Sequence, residues 1–136
     1  MNPISDLSLL LRTMKPSLSP GAFAFASIKP AQTIDPTIIV ASIRETEGLS
    51  VVVTEEDAIK NNLEILFLCA WITLNVNSDL HAVGLTAAFS AALGQSGISC
   101  NVVAGAYHDH IFVPIKLAGQ AMDVLYQLQA CSNSSL

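Results

Sequence analysis

The chain has 136 residues, a formal net charge of −5 and six Lys and Arg in all. That charge leaves no basic patch to release counterions from phosphates, which excludes nucleic acid as a partner. Apolar residues make up 51% and charged residues only 12%, against about 25% charged in an ordinary soluble domain, with a mean hydropathy of +0.53. An apolar surface covered by a partner accounts for this balance better than a membrane span. The longest apolar run, Ile65 to Leu74, is interrupted by Thr73 and falls well short of the ~20 residues a spanning helix needs. The N-terminal Leu7–Leu11 run lacks the basic start and length of a signal peptide, so the chain reads as cytoplasmic. Cys69, Cys100 and Cys131 are odd in number and show no CxxC spacing, as expected of reduced thiols.

In chain order, Ile4, Leu7, Leu10, Leu11 and Met14 recur at helical spacing and predict a short opening helix, ended by Pro16 and the Pro20–Gly21 pair. Gly21–Ile28 alternates around two Phe residues as a strand. Lys29–Pro36, with two prolines, is a loop. Thr37–Ile43 and Leu49–Val53 flank the turn Glu45–Gly48 and predict a hairpin. Thr54-Glu-Glu-Asp57 has the form of a capped helix start, with the acids at the positive end of the helix dipole and the helix running to about Leu63. The first unit therefore reads β-β-β-α.

The second unit starts at Glu64. Ile65–Val76 is apolar on both faces near its middle and should lie centrally in its sheet. Asn77-Ser78-Asp79 offers cap chemistry ahead of a helix rich in small residues, carried by Val83, Ala87, Ala88 and Leu93 and closed by Gly94–Gly97. Ile98–Ala104, the turn Gly105–Asp109 and His110–Val113 form a second hairpin. Pro114 opens a last helix striped by Leu117, Ala121, Met122, Leu125 and Leu128. The order β-α-β-β-α is the split β-α-β pattern of ferredoxin-like α+β folds, one strand short, and strands of the first unit are placed to complete the sheet. The expected division is a helix and linker over 1–20, units over 21–63 and 64–131, and a polar tail over 132–136.

The stretch from Asp79 to Val102 resembles the ACT domain family. An acid, a Gly-Leu pair at a helix start, a Leu eight residues on and a Gly-Ile at the next strand are typical there. Asp79, Gly84, Leu85, Leu93, Gly97 and Ile98 stand in those places. The usual acid-x-Pro-Gly is lengthened by two residues and lacks its proline. The whole chain is also similar to small stand-alone bacterial ACT proteins. The resemblance implies two ACT-like units with antiparallel sheets and helices on one face, and a non-catalytic regulatory role. It also implies a small-molecule ligand, with amino acids first, held where units of a homo-oligomer (dimer or tetramer) meet. Carried onto this chain, the pocket is lined by Asn75, Asn77, Asp79, His81, Val83 and Gly84, with Ser99, Asn101 and Val103 on the facing strand. No cofactor is implied. Gly84, lacking a β-carbon, lets a ligand approach the backbone closely, and the free helix N–H groups favour a carboxylate. Asp79 is suited to hold an amino group, although helix capping is its commoner use.

His108-Asp109-His110, with His81, invites a metal reading, but no cysteine or carboxylate completes a ligand set, and polar hairpin residues explain the run more simply. No nucleophile elbow, phosphate loop or dinucleotide fingerprint is present, and Tyr107 and His108 lack a positioned partner for acid–base work. Trp71 is expected in the core or an interface. The rival reading is a structural or transport-associated interaction protein with no metabolite.

Overall fold

The structure, a computed structural model, describes residues 6–76, 80–81 and 83–134. The expected roles of Ile4, Asn77, Ser78 and Asp79 fall outside those residues.

Helix α1 (Leu7–Thr13) starts on Asp6, whose carboxylate accepts from the Leu9 N–H at 2.9 Å. Strand β1 (Pro16–Leu18) follows, then β2 (Phe23–Ile28), β3 (Ala41–Glu45) and β4 (Gly48–Thr54). Helix α2 (Glu55–Lys60) leads to β5 (Phe67–Leu74). Helix α3 (Leu85–Gln95), β6 (Asn101–Ala104), β7 (Asp109–Pro114) and α4 (Ala118–Ser134) complete the chain. The strands form one antiparallel sheet in the order β3-β4-β2-β5-β7-β6, and β1 adds to β5 on the β2 side.

Both ferredoxin-like units can be traced in that order. In the first, β2, β3, β4 and the leading end of β5 are ordered β3-β4-β2-β5. In the second, β5, β6, β7 and β1 are ordered β1-β5-β7-β6, so the N-terminal strand supplies the fourth strand missing from the second half of the sequence. Strand β5 serves both. Phe67, Leu68 and Cys69 pair with β2, and Ile72, Thr73 and Leu74 pair with β1. Its central place follows from side chains apolar on both faces.

The four α-helices among the described residues lie on one face. Leu10 and Met14 of α1 pack with Leu85, Phe89 and Leu93 of α3, Ala121 and Leu125 of α4, and Ala70, Ile72, Leu74, Ile111 and Val113 of the sheet. A second cluster sets Ala58 of α2 on Ala24, Ala26, Ile28, Val51 and Val53. The opening helix thus shares the core of the second unit rather than standing apart. No helix of the described residues covers the opposite face, yet it carries Phe23, Phe25, Phe67, Cys69, Trp71, Phe112, Val52 and Val103. Here lies the reason for the chain's apolarity: the sheet is hydrophobic on both sides, and only one is roofed.

Three local readings change. Pro36–Ile38 is a 3-10 turn, not the start of a strand, because the Asp35 carboxylate takes the Thr37 N–H at 2.9 Å and its hydroxyl at 2.8 Å. Helix α2 stops at Lys60 rather than near Leu63, and Asn62 turns the chain with φ +54°. Helix α3 begins at Leu85 behind its N-cap Gly84, so Val83 precedes the helix rather than lying in it. The strand Pro16–Leu18 was not anticipated, since Pro16 reads as a helix stop.

Candidate functional site

The segment between β5 and α3 leaves the sheet where Leu74, the end of β5, pairs with Asp109, the start of β7. Its start is fixed by backbone bonds: the Asn75 N–H donates to Lys15 at 2.8 Å and the Val76 N–H to Leu74 at 2.8 Å. The His108 ring lies across from it, with Nδ1 3.4 Å from the Val76 carbonyl. Asn75 and His81 are exposed, and Val83 is 84% exposed. Gly84 then takes the left-handed conformation, φ +103°, and launches α3 without a side-chain cap. Those first-turn N–H groups are the donors an anionic group would use.

Gly84 also has a neighbour that sequence alone does not reveal. A β-carbon there would stand 2.9 Å from Leu7 Cδ2, so α1 packs onto the bare glycine. The close approach expected of a ligand is made by the chain's own leucine.

Ser99 and Asn101 are exposed, and Val103 is half-buried. Asn101 pairs with Phe112, which pairs with Trp71, whereas Asn75 lies just past the Leu74–Asp109–Ala104 level. At ~3.4 Å per residue, four residues of β5 separate the two levels by roughly 13 Å. One chain therefore does not bring Asn101 to the Asn75 end. Val103 instead lines an apolar cavity of about 70 Å³ with Phe25, Ala41, Ile43 and Val52 on the helix-free face. Asn77 and Asp79 lie outside the described residues. Among the described residues, no group of three or more His, Cys, Asp and Glu is placed to hold a metal ion.

Sequence reasoning missed a polar pair on the helix-free face. The Trp71 indole N–H donates to His110 Nδ1 at 3.0 Å, and the Thr73 hydroxyl lies 3.2 Å from the same nitrogen. Burial, with His108 nearby, holds the His110 imidazole below its ordinary pKa, while Asp109 pulls weakly the other way. Strand alternation does put Trp71 and Thr73 on one face, but register alone brings His110 opposite them. Also unanticipated are two clefts, each of about 300 Å³, that share Lys29 and Gln32 in their walls. Gln32 fixes that loop by accepting from the Lys29 N–H at 2.8 Å and donating its own N–H to the Lys29 carbonyl at 2.9 Å.

Two family models, both described as ACT domain, match residues 2–70 and 67–127. The chain belongs to the ACT domain family. The matches meet within β5, the strand both ACT units share. A Vibrio cholerae protein of unknown function, VC0802, described as a possible transport protein, has 44% identity and a TM-score of 0.80. The match covers 90% of this chain and 95% of that one. Atu0741 from Agrobacterium tumefaciens has 18% identity and a TM-score of 0.66, over 85% and 89% of the two chains. The regulatory subunit of aspartate kinase from Thermus thermophilus, in ligand-free form, has 14% identity and a TM-score of 0.60, over 87% and 97%. These last two likenesses speak for the tandem ACT fold alone. No curated protein matches. No helix among the described residues of this ACT protein is long and apolar enough to cross a membrane.

Proposed function

We propose that this chain is a non-catalytic regulatory protein of the cytoplasm that binds an amino acid where ACT units of two copies meet. The pocket runs over Asn75, Asn77, Asp79, His81, Val83 and Gly84 on one copy and faces Ser99, Asn101 and Val103 of the other. The observation that supports the reading is the start of α3 on a left-handed glycine that has no side chain to cap it, in a chain built from two ACT units. The separation of Asn75 from Asn101 within one chain fits a ligand that bridges two copies. A ligand held only by the paired form stabilises it by mass action, about 2.7 kcal/mol at a hundredfold excess over Kd. The test is a thermal-shift screen over the common amino acids, followed by calorimetry and light scattering on any that responds. The expected result is one stabilising amino acid whose effect is lost in Asn101→Ala while the fold survives. No response from any amino acid overturns it.

A second reading has its own support. Leu7 already occupies the space beside Gly84, as in a chain that uses this glycine for packing and meets a partner without a metabolite. VC0802's description as a possible transport protein points the same way. Oligomerisation that persists with no amino-acid response favours this alternative.

A further inference from the structure

The Trp71 indole nitrogen can only donate, so the bond to His110 requires an unprotonated Nδ1 with its lone pair facing the indole. The ring is thereby fixed as the neutral Nε2–H tautomer, with the Thr73 hydroxyl 3.2 Å from the same Nδ1. Two further features place it. The indole and imidazole planes are tilted at 54° with centroids 5.7 Å apart. The ring also lies near Gly105, where a β-carbon would come within 3.2 Å of His110 Nε2, an approach that the missing side chain permits. Phe23 packs edge-on against Trp71, and Phe112 stacks on it. The imidazole is thus set into an aromatic surface as an acceptor with an obligate donor.

We propose that His110 is a proton-operated latch on Trp71: protonation at Nδ1 converts the acceptor into a donor, releases the indole N–H and places a positive charge on the helix-free face of the sheet. Two donors facing each other across 3.0 Å cannot remain in that geometry, so the ring or the indole must turn. The cation then stands beside Trp71 on the face that carries Phe23 and Phe112, where any partner chain would have to desolvate it.

The charged groups around the ring set the pH. From its own hairpin, His108 opposes a second positive charge and Asp109 favours one. Strand β5 presents Trp71 and Thr73 and β6 presents Val103, none of them ionisable. Helix α4 lies against the opposite face of the sheet, with its buried Ala121 and Leu125 turned to that side. Burial and His108 outweigh Asp109, so the latch is closed at neutral pH and opens below the ordinary imidazole value of 6.5.

Trp71 is the only tryptophan in the sequence, so intrinsic fluorescence reports this site alone. Titrating the full-length protein from about pH 8 to about pH 5 should give a reversible loss of emission, since imidazolium quenches indole. The midpoint should lie below 6.5, with an unchanged far-ultraviolet circular dichroism spectrum. In His110→Gln, whose amide oxygen accepts at every pH, the transition should vanish. In His108→Gln it should remain and move to higher pH. Flat emission in the native protein, or the same transition in His110→Gln, overturns the latch. If His110→Gln does not fold, NMR on the native protein decides. The Trp71 indole N–H shift must follow the His110 ring with one midpoint, and a ring that titrates while the indole N–H stays still overturns the proposal.

Discussion

Leu7 Cδ2 stands 2.9 Å from where a β-carbon on Gly84 would be, which ties the first helix of the chain to the start of α3. Gly84 is needed there twice over: for its φ of +103° and for the missing atom. Gly84→Ala should therefore cost about 1–3 kcal/mol, combining backbone strain with a contact that Leu7 must yield. Adding Leu7→Ala should recover the contact part and leave the strain. A double-mutant cycle by urea denaturation measures the difference, and strictly additive effects would refute the contact.

Thr54 caps α2 by accepting from the Asp57 N–H at 3.1 Å. The helix has only six residues and buries Ala58 alone, so it depends on its ends. Thr54→Ala should lower stability by about 1 kcal/mol, and Thr54→Asn should restore most of it. Tm values of the two variants check this.

Asp109 is the one buried charged or polar side chain among the described residues, at 7% exposure. Burial pushes its carboxyl above the ordinary value of 3.8, against a smaller pull from His110. The folded chain thus holds this proton more tightly than the unfolded chain does. Stability attributable to Asp109 is present below 3.8 and is lost as pH rises through the folded pKa. Asp109→Asn should raise the urea midpoint at neutral pH and change it little below 3.8. Equal effects at both pH values would contradict the assignment.

The thiols should separate cleanly. Burial pushes Cys69 up to about 12 and Cys100 up to about 11, so at pH 8 about a thousandth or less of either is thiolate. Cys131 is exposed on α4. Brief iodoacetamide treatment followed by peptide mass spectrometry should find Cys131 labelled and Cys69 untouched in the folded protein. Denaturant should then make Cys69 and the half-buried Cys100 fully reactive.

Much of the architecture could be read from local signals. Alternation around Phe23 and Phe25, the β-branched run before Thr54, the cap at Thr54 and the glycine close of α3 all depend on neighbours in sequence, and each stands where expected within a few residues. What local signals missed depends on distant partners. Pro16–Leu18 is a strand only because β5 has an open edge beside Ile72–Leu74, which a three-residue segment with a proline does not announce. The ferredoxin-like pattern lacking one strand did show that a partner was required. The left-handed glycine at the start of α3 was legible, because backbone chemistry is local. The packing of Leu7 on Gly84 and the Trp71–His110 bond arise from tertiary approach and register, which no spacing encodes.

Because β5 takes neighbours from both units, the two halves of this chain are spliced like a dovetail rather than strung like beads. The first thirty or so residues feed α1 and β1 into one half and β2 into the other, so a break in the Lys29–Ile34 connection would free no self-sufficient fragment. A force applied at either end of β5 is felt along a single ladder of peptide bonds. Such a strand ties the two units into one set of backbone hydrogen bonds, so neither can give up β5 without opening the other.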